Sequence, residues 1–331
     1  MTWAEALPVI FLALMGVSML AYVVLDGYDL GVGMLLHRAT DAQKDTMIAS
    51  IGPFWDANET WLVLGVGILL IAFPRAHGVI LTALYLPVAL MLVGLILRGV
   101  AFDFRVKAHD HLKPLWNRAF LVGSTLAALS QGWMLGRYVT GFGEGWAFQG
   151  FALLIALALP ASYVLMGACW LILKTEGELQ QQAVAWARAA WLPLVLGIGL
   201  ISIATPWVSL TVRERWFSMP AFIALLPIPL ATLAALVAAR MVLRSKAVLG
   251  TLAWLPFACV VSVFLLGAIG LAYSLFPYVV LDRLTVWQAA SATESLAVIA
   301  IGCAITVPAI TGYTIYAYRV FRGKVGELRY A

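Results

Sequence analysis

The sequence has few charged residues. They make up only 11% of 331 residues, and the mean hydropathy is +0.96, whereas soluble domains average about 25% charged residues. This composition excludes a soluble globular protein and indicates an integral membrane protein. The first apolar run has no basic segment before it and is too long for a signal-peptide core, so we expect no cleaved leader. We interpret the formal net charge of +5 as loop asymmetry across a bilayer, not as a nucleic-acid-binding surface.

Cysteine and histidine are also scarce. Cys169, Cys259 and Cys303 lie inside apolar runs with no metal or disulfide spacing, so we predict that they are packing residues. The histidines fall in loops or at predicted helix ends, and none has the mid-span position that an axial haem ligand needs. They are His37, His77, His109 and His111. Dinucleotide-binding, P-loop and zinc-protease motifs are absent from the sequence. The residues alone therefore predict no cofactor or metal site in this chain.

Nine uncharged, apolar runs approach the roughly 20 residues that a membrane-spanning helix needs. In chain order they cover residues 6–25, 60–74, 79–97, 119–136, 145–173, 189–212, 216–239, 247–281 and 295–318. The second run is short unless its helix also includes residues 53–59. The eighth is long enough for one tilted span and a re-entrant or interfacial tail after Pro277. We therefore predict an all-α integral membrane protein with nine transmembrane helices and no soluble domain.

The distribution of lysine and arginine predicts the orientation of these spans, because cytoplasmic loops are enriched in positive charge. If the N-terminus is periplasmic, 16 of the 21 Lys and Arg residues fall in inward loops or in the C-terminal tail. That tail, which includes Arg329, is then cytoplasmic. This topology brings the end of the first span, the start of the second and the end of the third to the cytoplasmic face.

Two pairs of acids interrupt the apolar sequence at that face. Asp26 and Asp29 are three residues apart, as are Asp56 and Glu59, so each pair shares a helix face if its helix continues. A carboxylate at membrane depth costs about 2.5–3.5 kcal/mol, and clustered carboxylates can pass protons by changing charge. The functional interpretation is therefore a water-filled proton entry. The ordinary interpretation is acidic helix ends at the interface, with the second pair stabilising a helix N-terminus.

The third span adds charges at the same predicted depth, since it ends with Arg98 and is followed by Asp103. Arg98 could act as a counter-ion that keeps the acids ionised until a proton arrives. Alternatively, it is an ordinary arginine whose side chain reaches the membrane interface.

Three motifs resemble subunit II of cytochrome bd-type quinol oxidases. They read Asp26-Gly27-Tyr28-Asp29-Leu30-Gly31-Val32-Gly33, Trp55-Asp56-Ala57-Asn58-Glu59-Thr60-Trp61 and Arg98-Gly99-Val100-Ala101-Phe102-Asp103-Phe104-Arg105. The resemblance extends to Pro277 and to residues 284–291, so it follows the whole chain in order.

The resemblance implies a heterodimeric respiratory quinol oxidase in the bacterial inner membrane. Its subunit I would carry two b haems, a haem d or a third b haem, and the quinol site. The second subunit is expected to bind no haem. It would form two four-helix bundles, at residues 1–144 and 145–294, and a peripheral ninth helix with a cytoplasmic tail, at residues 295–331. Such complexes often include a small single-helix subunit, and a quinone or lipid can occupy the second subunit.

The resemblance also implies roles for individual residues. Its acidic motifs would line a proton path from the cytoplasm toward the haems of subunit I. Trp55 and Trp61 would lie near the subunit interface, on a dioxygen path. The predicted proton path comprises Asp26, Asp29, Asp56, Glu59, Arg98 and Asp103.

The chain departs from some members of the resembled family in two features. Some members have glutamine where Glu59 stands, which weighs against a proton role for Glu59. The loop at residues 209–218 is short, and longer relatives have an extended loop there, so the chain resembles the compact, cyanide-insensitive type. Two other interpretations stay open from the residues alone. One is a secondary transporter whose carboxylates bind a coupling ion near the membrane midplane. The other is a purely structural scaffold with its acids at the interface.

Overall fold

A computed structural model describes residues 2–325, and in this part of the chain nine helices are long and apolar enough to cross a membrane. The α-helices are α1 (Trp3–Leu35), α2 (Asp41–Ile51), α3 (Trp55–Ala72), α4 (Pro74–Lys107), α5 (Lys113–Val139), α6 (Trp146–Lys174), α7 (Gly177–Val208), α8 (Leu210–Phe217), α9 (Ala221–Leu225), α10 (Pro227–Arg244), α11 (Leu255–Leu275), α12 (Val286–Ala289) and α13 (Thr293–Val320). The strands are β1 (Tyr278–Val280) and β2 (Leu284–Thr285). The prediction of an all-α membrane protein with nine spans is confirmed. Arg329 lies outside the described residues.

The first two spans are longer than their uncharged runs. Helix α1 continues without a break from residue 25 to Leu35, so it carries Asp26 and Asp29 inside a helix about 50 Å long. Helix α3 begins at Trp55, which puts Asp56 and Glu59 in its first turns, as the longer version of the second span required. The intervening segment, predicted as a loop, contains the short helix α2, which begins at Thr40 with a capping box.

Two segments differ from the sequence prediction at the opposite end of the bundle. The segment at residues 209–218, predicted as a loop, is mostly the helix α8, because the Ser209 hydroxyl accepts from the Val212 amide and caps it. The tail after Pro277, predicted as re-entrant or interfacial, is an antiparallel hairpin of β1 and β2. The hairpin is held by the Tyr138 hydroxyl, which donates to the carbonyl oxygen of Val279 at 2.7 Å.

Helix α1 occupies the middle of the fold and packs against α3, α5 and α6. The other main pairings join α4 to α5, α5 to α6, α6 to α7 and α10 to α11. Helix α5 thus packs on α6 across the predicted bundle boundary at residue 144, and the grouping into two four-helix bundles stays a prediction. The membrane orientation also stays a prediction. The ends of α1, α4, α6 and α13 and the start of α3 lie together, and this is the predicted cytoplasmic end.

Candidate functional site

Glycines bring α1 unusually close to its neighbours. A methyl group on Gly31 would overlap the backbone carbonyl of Tyr163 in α6, and one on Gly167 would lie 2.5 Å from the Gly31 carbonyl carbon. Small residues at such a crossing allow two helix backbones to touch. The contact seals one face of α1, and as a result Asp26 and Asp29 are both fully buried.

Arg98 joins two acids from different helices. Its Nη1 donates to Asp26 Oδ1 at 2.5 Å, and its Nη2 donates to Glu59 Oε1. The arginine is 2% exposed, whereas the Glu59 side chain is 29% exposed. Arg98 therefore lies inside the protein as a bridge between α1 and α3, and Glu59 is the member of this group that reaches the surface.

Asp29 has a different environment. Its Oδ2 accepts from the Asn58 amide at 2.8 Å, and its Oδ1 is buried without a hydrogen-bond partner. Among the described residues, no cation lies within 4 Å of the Asp29 carboxyl. The two ion pairs of Arg98 go to Asp26 and Glu59. Asp26 Oδ2 is also buried without a partner. Asp26 and Glu59 thus share one guanidinium, and Asp29 lies beside them without an ion pair of its own.

A chain of polar side chains extends from this cluster toward the middle of the bundle. The Tyr163 hydroxyl donates to Gln131 Oε1 at 2.7 Å, and Gln131 Nε2 donates to the Tyr22 hydroxyl at 2.8 Å. Tyr22 is four residues before Asp26 and lies on the same face of α1. The polar chain therefore runs from α6 through α5 to the turn of α1 that precedes Asp26.

Four of the six residues predicted for the proton path meet in this cluster: Asp26, Asp29, Glu59 and Arg98. Asp56 and Asp103 do not. Both are exposed on the isolated chain, and no side-chain hydrogen bond or ion pair joins either to the cluster in the part of the chain that is described. Asp56 lies two residues before the buried Asn58, about 200° away around α3, and therefore faces outward. Arg98 is paired with Asp26 and Glu59 and not with Asp56, and its role as a counter-ion in a proton path stays a prediction.

The two tryptophans of the second motif lie on different sides of α3. Trp55 packs on Phe102, with ring centroids 5.1 Å apart. Trp61 is 6% exposed, and its indole Nε1 is buried without a hydrogen-bond partner. Their assignment to a dioxygen path and to the subunit interface stays a prediction.

Sequence reasoning did not assign several polar residues that the fold adds to the cluster. These are Tyr22, Tyr28, Asn58, Gln131, Tyr163 and Tyr318. A signal existed for Gln131, because Ser130 and Gln131 interrupt the apolar run of the fourth span. Tyrosines carry no comparable signal, since they are common at membrane interfaces.

The histidines of the chain lie at helix ends, away from the cluster. His37 Nδ1 is 2.8 Å from the carbonyl oxygen of Met34 at the end of α1, and His109 and His111 follow α4. Within residues 2–325, no group of three or more His, Cys, Asp or Glu residues could hold a metal ion. That this chain binds no haem stays a prediction.

A bundle of nine apolar helices around a buried ionisable cluster defines a multi-pass membrane protein with a charged site inside it. The family model for cytochrome bd terminal oxidase subunit II matches residues 7–321. The chain belongs to this family, and the resemblance predicted from its motifs is confirmed.

Individual relatives agree with the family match. Subunit 2 of the cytochrome bd ubiquinol oxidase of Bacillus subtilis (strain 168) is 28% identical over 340 residues, which cover 95% of this chain and 95% of that protein. Subunit 2 of the cytochrome bd-I ubiquinol oxidase of Escherichia coli (strain K12) is 30% identical over 221 residues, 62% of this chain and 58% of that protein. A chain of the bd oxidase from Geobacillus thermodenitrificans has the same fold, with a TM-score of 0.73, 18% identity, and coverage of 96% of this chain and 99% of that chain.

Family membership decides among the interpretations that the residues left open. The chain is a subunit of a quinol oxidase complex, a multi-pass protein of the bacterial inner membrane, and its partner is subunit I. The secondary-transporter interpretation is therefore wrong.

Proposed function

We propose that this chain is the haem-free second subunit of the oxidase and that its buried cluster conducts protons from the cytoplasm toward subunit I. Quinol oxidation and dioxygen reduction would take place in subunit I, which would hold the b and d haems, or b haems alone, and the quinol site. The observation that supports the proton role is that three buried or half-buried carboxyl groups meet at one guanidinium, which is paired with only two of them.

Charge balance predicts that this cluster holds a proton. If all three carboxyls were ionised, the group would carry two uncompensated negative charges, and isolated buried charges are so costly that a group neutralises instead. Asp26 and Glu59 are each paired with Arg98, whereas Asp29 has only an amide donor. Asp29 is therefore the carboxyl that carries the proton, and its unpartnered Oδ1 is the oxygen on which the proton would sit. A proton relay needs a carboxyl group of this kind, which can release a proton and take one up again while the fold around it stays intact.

The two exposed acids fit the cytoplasmic entry of this route. Asp103 lies in the last two turns of α4, near the predicted cytoplasmic end, and Asp56 lies at the same end, on the outer side of the first turn of α3. Subunit I would cover the α3 face around Asp56. Trp61, with its free indole Nε1, would adjoin that surface and the dioxygen path. A small single-helix subunit and a bound lipid or quinone belong to the same proposal.

The test is the variant Asp29→Asn in the assembled complex. Asparagine matches the protonated carboxyl in shape but cannot release a proton, so we expect quinol oxidation to slow roughly tenfold or more. The absorption spectrum of the haems and the recovery of both subunits should be unchanged. The matched control is Asp282→Asn, since Asp282 is exposed in the hairpin at the other end of the bundle, and it should retain full turnover.

Wild-type turnover of Asp29→Asn in an intact complex would contradict the proton role. The structural-scaffold interpretation would then account for the cluster.

A further inference from the structure

The ninth helix is one of the two least embedded spans in the described part of the chain. Only Leu296 and Ala317 are buried along α13, so most of its length faces outward. Its C-terminal end nevertheless contacts the carboxyl cluster. Tyr318 packs on Phe54 with ring centroids 4.5 Å apart, and its hydroxyl reaches Asn58. A helix with so few buried residues is thus anchored beside Asp29.

Three side chains form a closed ring of hydrogen bonds at this point. Asn58 Nδ2 donates to the Tyr28 hydroxyl at 3.0 Å, and the Tyr318 hydroxyl donates to Asn58 Oδ1 at 3.2 Å. The two tyrosine hydroxyls are also hydrogen-bonded to each other. Because the Tyr318 proton goes to Asn58, the Tyr28 proton must go to Tyr318. Each member of the ring donates to the next, and this order fixes the direction of the Asn58 amide.

The fixed orientation of the Asn58 amide determines which of its atoms faces Asp29. With Oδ1 engaged by Tyr318, Asn58 presents Nδ2 to Asp29 Oδ2 at 2.8 Å, which is the shortest of its contacts. The two hydrogens of Nδ2 are shared among Asp29, the Tyr28 hydroxyl and the carbonyl oxygen of Leu25 at 3.2 Å. We infer that Tyr318 of the ninth helix is a positioning residue for Asp29, because it holds Asn58 as a hydrogen-bond donor to that carboxyl. This inference rests on the proposed proton role of Asp29.

Loss of the Tyr318 hydroxyl should change the protonation of Asp29 in a definite direction. A donor to a carboxyl favours its ionised form over its protonated form. Opening the ring loosens this donor, so Asp29 would keep its proton to higher pH. The charged and titratable groups that also face Asp29 are Asp26 and Tyr28 on α1, Glu59 on α3, Arg98 on α4 and Tyr318 on α13. Removal of a phenol hydroxyl leaves the charges of Asp26, Glu59 and Arg98 in place.

The experiment compares Tyr318→Phe with Tyr316→Phe in the whole complex. Phenylalanine keeps the packing of residue 318 on Phe54 and removes only the hydroxyl. We expect the alkaline limb of the pH profile of quinol oxidation to move up by about one pH unit in Tyr318→Phe. Tyr316 lies on the same helix with 66% of its surface exposed, and its variant should show the wild-type profile. A merely structural role for Tyr318 would lower turnover equally at every pH.

A second variant opens the same ring from α1. Tyr28→Phe keeps the stacking on Trp170, whose centroid is 4.1 Å away, and should shift the limb in the same direction. If both variants keep the wild-type pH profile while Asp29→Asn slows turnover, the positioning role is wrong and the proton role stands. If Asp29→Asn also keeps full turnover, the proton role itself has failed.

Discussion

The two halves of this chain handle their charged side chains differently. Up to residue 144, Arg98 and Arg105 bind carboxylates, and all five ion pairs found in the described residues lie in this half. After residue 145, the described residues form no ion pair, and their cations donate to backbone carbonyls, as Arg75 and Arg137 of the first half also do. Lys174 reaches the oxygen of Phe321 at 2.6 Å, and Arg188 reaches that of Leu243 at 2.7 Å.

This difference separates two uses of charge in a membrane protein. A backbone carbonyl oxygen can accept a hydrogen bond from a cation near a helix end, but the carbonyl does not take up or release a proton. Carboxyl groups around an arginine can take up and release protons. The second half therefore uses its charges to terminate and join helices, whereas the first half encloses titratable groups that a proton path can use.

The largest expected effect comes from removing the buried cation of the first half. Arg98→Gln leaves three carboxyl groups without their counter-ion, and breaking a buried pair in this way costs about 3–5 kcal/mol. We expect poor recovery of the assembled complex and a lower thermal unfolding midpoint in detergent. The matching change in the second half, Arg188→Gln, removes one hydrogen bond to a carbonyl and should cost about 1 kcal/mol. Equal losses in the two variants would remove the distinction between the halves.

A somewhat smaller effect is expected at the crossing of α1 and α6. Gly31→Ala would place its methyl group on the Tyr163 carbonyl, and a backbone atom cannot move aside without separating the two helices. Such overpacking should cost about 3 kcal/mol, measured as the thermal midpoint of the complex. In the second half, Gly199→Ala meets nothing within 4 Å and should be neutral or slightly stabilising. A stable Gly31→Ala complex would show that the crossing that joins the two halves is not tightly packed.

The smallest expected effect concerns the exposed part of the cluster. Glu59→Gln keeps an oxygen that accepts from Arg98, so we expect a stability loss of about 1 kcal/mol at most. We also expect a smaller loss of turnover than in Asp29→Asn, because glutamine at position 59 can replace Glu59 as a hydrogen-bond partner of Arg98. A larger defect in Glu59→Gln than in Asp29→Asn would transfer the proton-carrying role to Glu59.

Asp56→Asn should slow oxygen consumption with an intact haem spectrum and change stability by less than about 0.5 kcal/mol.

Much of the fold was predictable because hydropathy and charge act locally. A helix in lipid must be long and apolar, so the nine runs could be counted without any knowledge of their neighbours. The ends of the runs were less predictable. The continuation of α1 past Asp26 depends on its contact with α6, and the hairpin after Pro277 depends on Tyr138 from α5.

The sequence by itself determined that this chain crosses a membrane, that it belongs to an oxidase family, and that acids stand near the ends of its first spans. Only the tertiary structure decided which acids meet. Asp56 and Glu59 looked equivalent in the sequence, yet Glu59 binds Arg98 and Asp56 faces outward. The same holds for Tyr318, which is 260 residues from Asn58 in sequence but bonded to it. The rotation of each helix about its axis depends on packing against several others, and no local pattern along the chain records it.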